Sequence, residues 1–150
     1  MENYVFDGSL DGFFTLIFDY YVRKPTMIKV WSIRDFQPSF FDETHEVITD
    51  EEKSNRVKSK LKEKLGKQGW KQFYCTFLSE QIEAYQHLFN FACYALKSTQ
   101  NISSNYGNED VLYVAQMHRK VNREKHHFEA FIRFEELPDG TFYSTVEPKY

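Results

Sequence analysis

Apolar residues along this chain recur mostly at helical spacing, interrupted by short stretches that cluster or alternate as strands do. Leu10, Phe13, Phe14, Ile17, Phe18 and Tyr21 mark one face of a first helix, which Ser9 or Asp7 can cap and Pro25 ends. Tyr4-Val5-Phe6 before it and residues 27–33 after it read as short strands, and residues 35–42, with Pro38, look irregular. Thr49-Asp50-Glu51-Glu52 fits a capping box with Thr49 at the cap. The helix it opens buries Val57, Leu61 and Leu65. Gly66 and Gly69 bracket a break before Trp70, Phe73, Tyr74, Phe77 and Leu78, whose i, i+3, i+4, i+7, i+8 spacing predicts another helix. Residues 82–96 are apolar over most of their circumference, as in a central helix, and residues 98–108 form a polar loop.

The final stretch, residues 108–150, changes period near His126. Before it, Val111, Val114, Met117 and Val121 share one side of a helix, while Arg119, Arg123 and His126 line the other. After it, Phe128, Ala130, Ile132 and Phe134 alternate with Glu129, Phe131, Arg133 and Glu135, predicting a half-buried strand. Leu137-Pro138-Asp139-Gly140 suits a tight turn, and residues 141–147 suit a return strand with Phe142 and Val146 inward. The expected fold is α+β: about five helices around an aromatic core, with a small antiparallel sheet that includes this C-terminal β-hairpin and the Tyr4 strand.

At 150 residues, 1–150 is expected to be a single domain with a core that needs no staples. No apolar run reaches the roughly 18 residues of a membrane span, and MENYVFDGS lacks the design of a signal peptide. A soluble, cytoplasmic protein without membrane contact is expected. Cys75 and Cys93, each in an apolar helical pattern, are expected to be buried and reduced, and two isolated cysteines cannot build a zinc site or an iron-sulfur cluster. No metal and no cofactor is expected.

A net charge of −3 argues against coating nucleic acid by bulk charge, but the charge is segregated. Residues 53–71 hold 8 Lys/Arg against 1 Asp/Glu, whereas residues 1–52 hold 4 against 11, so a basic patch sits on a near-neutral protein. Lys53, Arg56, Lys60 and Lys64 follow one flank of a helix and can track a phosphate backbone, or form a solvated face whose stems cover the core edge. Arg119, Lys120, Arg123, His126 and Arg133 are mounted on the helix and hairpin, where arginine's planar fork suits phosphate. Solvent-side Phe131 or Tyr143 could stack on a base. His126-His127 invites a metal or general-base reading, yet neighbours on a helix point about 100° apart and cannot easily share an ion. His118 lies toward the apolar side as a hydrogen-bonded structural histidine, and Ser103-Ser104 lacks a glycine-rich cradle.

The opening YVFDGSLDGFFTLIFDYY, the TDEE-start helix with LKEKL, FLSE at 77–80, RKVNREKHHFEAFIRF at 119–134 and the final Glu-Pro together resemble a bacterial domain-of-unknown-function family. Its members are labelled "probable DNA metabolism protein". The resemblance implies association with radical S-adenosylmethionine (radical SAM) DNA repair or modification proteins, and kinship with domains fused to uracil-DNA glycosylase-like domains. It transfers no catalytic residue. It also implies that members usually continue further, into basic and aromatic segments, whereas this chain stops at Glu147-Pro148-Lys149-Tyr150. The function expected is a non-catalytic accessory module that binds or positions DNA for a radical SAM or glycosylase-like partner. Two alternatives stand beside it: a protein-interaction linker that docks the radical SAM enzyme without touching DNA, and a small nuclease or glycosylase using His126 or His127.

Overall fold

A computed structural model describes residues 2–38 and 42–135, with side chains described as far as Arg123. Three strands, β1 (Glu2–Phe6), β2 (Ile28–Ser32) and β3 (Glu43–Glu46), form a sheet in the order β2-β1-β3. Both outer strands run parallel to β1, with Tyr4 opposite Val30 on one side and His45 on the other. The expected antiparallel sheet is therefore corrected. Parallel neighbours need a crossover, and α1 (Leu10–Arg23) supplies the one between β1 and β2. β1 reads as an unbroken apolar run because it lies in the middle of the sheet: Tyr4, Val5 and Phe6 are at most 2% exposed. β3, with the sequence ETHE, is a polar edge that carries no hydrophobic signal.

Ser9 caps α1 by accepting the Gly12 N–H at 2.9 Å, and Asp7 in turn accepts both the N–H and the hydroxyl of Ser9. The helix ends at Lys24, which is left-handed (φ 51°) and donates its N–H to the Tyr20 carbonyl. α2 (Glu51–Leu78) is capped by Asp50, one residue beyond the Thr49 expected. Tertiary contacts decide this: the Asp50 N–H donates to Thr15 Oγ1, while Thr49 turns its hydroxyl to Asp7.

α2 kinks at Gly66, at φ 72° and ψ −177°, a conformation close to glycine's alone, and Asn101 donates to the Leu65 carbonyl freed there. The break thus sits at the first of the two glycines. Gly69 instead serves close packing, since a Cβ there would lie 2.9 Å from Leu65 Cβ and 3.0 Å from Ser103 Cβ. With α3 (Ile82–Lys97) and α4 (Glu109–Glu135), the described residues hold four helices rather than about five.

The first strand of the expected hairpin is also corrected, because α4 runs through residues 128–134 to Glu135. Phe128, Phe131 and Ile132 satisfy helical i, i+3, i+4 spacing as well as they take part in an alternation, and no glycine or proline interrupts residues 109–135. Extending an existing helix costs less than starting a strand. The turn at 137–140 and the return strand at 141–147 lie outside the described residues.

One apolar cluster joins Tyr4 and Phe6 of β1, Phe13, Phe14 and Ile17 of α1, and Leu61 and Phe73 of α2 with Leu88 of α3 and Val114 of α4. Phe14, Trp70 and Phe73 stack within it at centroid distances of 5.8–5.9 Å. Cys75 is buried and Cys93 half-buried, with no disulfide between them. No helix among the described residues is long and apolar enough to cross a membrane.

Candidate nucleic-acid interface

α4 begins where Asn108 Oδ1 accepts the N–H groups of Asp110 and Val111. It is pinned to α3 by the His87–Asp110 contact at 2.9 Å. Val111, Val114 and Ala115 enter the core, and the Thr76 hydroxyl of α2 donates to the Val114 carbonyl. On the opposite face Arg119, Lys120 and Arg123 are exposed. None of the three belongs to an ion pair among the described residues.

Lys71 joins them. Burial, followed by the charges of Lys71 and Arg119, pushes His118 below the ordinary histidine value, so both cations act on one imidazole. The Nε2 of His118 is buried and has no hydrogen-bond partner among the described residues. Val114 lies beside Thr76 and His118 beside Lys71, so α4 runs antiparallel to the second half of α2. His126, Phe131 and Arg133 belong to α4, but their side chains, like all of Tyr143, lie outside the described residues.

The α2 flank divides. Lys53 reaches Asp19 at 3.6 Å, and Lys64 donates to the Ser98 carbonyl at 2.6 Å, so both are committed internally. Arg56 and Lys60 instead edge a groove of about 320 Å3. Its floor is Phe18, Tyr21, Val57 and Leu96, and Lys97 closes the rim from α3. The Arg56 guanidinium lies 5.9 Å from the centroid of the Phe18 ring. Lys60 meets Glu63 only at 3.9 Å, with both side chains more than half exposed, which is worth little in water. Sequence reasoning did not single out Lys71, which it counted only within the basic stretch 53–71, or Lys97, which belongs to no basic run. Only their neighbours across helix contacts mark them.

Two basic surfaces thus stand out: the α4 face with Lys71, and the groove between α1, α2 and the end of α3. Exposed guanidinium and ammonium groups on rigid helices can hold phosphate oxygens, while an apolar floor can take a flat ring. Residues 82–150 match the family model described as a domain of unknown function, DUF4130. The DUF4130 match begins at the first residue of α3 and includes Lys97 and all of α4, whereas Phe18, Arg56 and Lys60 precede it. No curated protein and no solved structure matches the chain.

Proposed function

We propose that this protein is a DNA-repair accessory module that binds or positions DNA for a radical SAM or glycosylase-like partner, with no catalysis of its own. The observation that carries the reading is the row of Arg119, Lys120 and Arg123, exposed on α4 beside Lys71 and without acidic partners among the described residues. Cations without acidic partners among the described residues stay available to a polyanion, and the packed helix fixes the backbone that carries them. Binding of labelled single- and double-stranded DNA across a salt series tests it. Arg119→Ala/Arg123→Ala is expected to weaken binding and to lower the log–log salt slope by roughly 1 for each phosphate contact removed. Binding that is absent, or insensitive to salt, rejects direct contact with DNA.

A second reading, docking of the partner enzyme without DNA contact, is favoured by Tyr74 and Leu78. They lie one turn apart on α2 and are 42% and 51% exposed. It predicts association with the radical SAM protein that survives nuclease treatment and weakens for Tyr74→Ala/Leu78→Ala. No association at micromolar concentration counts against it.

A further inference from the structure

We infer that the groove between α1, α2 and the end of α3 is a subsite for one unpaired nucleotide of a DNA single strand. The base would lie on the Phe18–Tyr21 floor against the Arg56 guanidinium, and its phosphate between Lys60 and Lys97. This rests on the DNA-binding reading above and adds the strand state to it.

Four observations carry it. The groove lining contains three cations and no carboxylate, in a protein whose net charge is −3. Those cations come from two helices and converge on one apolar floor, whereas a solvated helical flank would spread them along one axis. Neighbouring Lys53 and Lys64 are engaged by the Asp19 carboxylate and the Ser98 carbonyl, whereas Arg56 and Lys97 have no ion pair among the described residues. The volume, about 320 Å3, falls at the low end of the roughly 300–1,000 Å3 usual for sites that hold a small organic group.

The groove also stays free of negative charge. Tyr21 in the floor, whose phenol burial raises, and its neighbour Cys93, whose thiol burial pushes up to about 11, are both neutral at neutral pH. A duplex keeps its base faces stacked and could use only the cationic rim. A single strand can turn a base onto the floor and use rim and floor together.

The test is fluorescence anisotropy with labelled oligothymidylate and a hairpin duplex of equal phosphate count, on the full chain. Tyr21→Ala is expected to weaken oligothymidylate binding about tenfold, the order expected for one stacked base, and to leave duplex affinity within roughly twofold. Lys60→Ala/Lys97→Ala is expected to weaken the single strand more than the duplex. Equal losses for both probes, or no loss for either, overturn the subsite. Loss of duplex binding in Arg119→Ala/Arg123→Ala, with oligothymidylate untouched by Tyr21→Ala, removes the groove and leaves the DNA-binding reading standing. If the wild type binds neither probe, both fall.

A second measurement does not depend on variants folding. Photocrosslinking of wild-type protein to oligothymidylate carrying one 5-iododeoxyuridine is expected to map by mass spectrometry to the peptide containing Phe18 and Tyr21. Crosslinks confined to other peptides overturn the proposal.

Discussion

Lys60 and Lys64 stand one helical turn apart and have opposite fates. Lys60 opens to solvent at the groove, while Lys64 reaches across to the carbonyl of Ser98, the residue that ends α3. A cation there meets the negative end of a helix and satisfies an acceptor that would otherwise be left unpaired. Lys64→Met should therefore lower stability by about 1–2 kcal/mol in urea unfolding and leave DNA affinity unchanged. Weaker DNA binding at unchanged stability would return Lys64 to the interface. The sequence shows four equivalent cations at positions 53, 56, 60 and 64, because spacing on one helix cannot reveal a carboxylate or carbonyl on another. Asp19 and Ser98 make the distinction.

At the scale of the element, α2 is two helical segments that meet at Gly66. Its first half packs Val57 and Leu61 into the core and edges the groove, and its second half carries Phe73, Thr76 and Phe77 into the core and against α4. The kink sets the angle between these halves, and a side chain at φ 72° and ψ −177° is strained. Gly66→Ala is expected to cost about 1–3 kcal/mol by chemical denaturation. A neutral substitution would mean that the kink relaxes without loss. The break itself is legible in the sequence, because a glycine follows Leu65 at the end of a clear apolar stripe. That Gly69 lies inside the resumed helix is not legible, because its role is contact with Ser103.

The largest departure at this scale is α4. Alternation from Phe128 to Phe134 suggests a strand, but a strand is stable only with a partner for its backbone, and the helix already running from Glu109 satisfies its own. Periodicity over so few residues fits both patterns. The side-chain positions of Phe131 and Arg133 expected from a hairpin therefore do not carry over to a helix.

Across the whole molecule, the proposed DNA contact on α4 depends on how α2 and α4 meet, and His118 reports on that junction. It sits below the ordinary histidine value of 6.5 because burial, Lys71 and Arg119 all disfavour the imidazolium. The native state then binds fewer protons than the unfolded chain just below pH 6.5. The contribution to stability is full above that value and is lost as pH falls through the folded pKa. An NMR titration of the imidazole should show the depressed value, and Lys71→Ala should raise it. Bound polyanion should raise it too, by screening the two cations. A His118 that titrates at or above 6.5 would break the claimed closeness of the two helices.

The sequence by itself determined the parts that local chemistry governs. These are the Tyr4-Val5-Phe6 strand, the Ser9-capped α1, the break after Leu65, the apolar α3, and the inward and outward faces of α4 as far as Arg123. Each follows from a period or a capping residue within a few positions. Tertiary structure alone decided that β1 is the middle of a parallel sheet, that the polar ETHE segment pairs with it, and that α4 continues through residues 128–134. It also decided which cations are spent internally and which surround the groove. Strand partners, ion-pair partners and concave surfaces are relations between distant residues, and no pattern along a single chain segment encodes them.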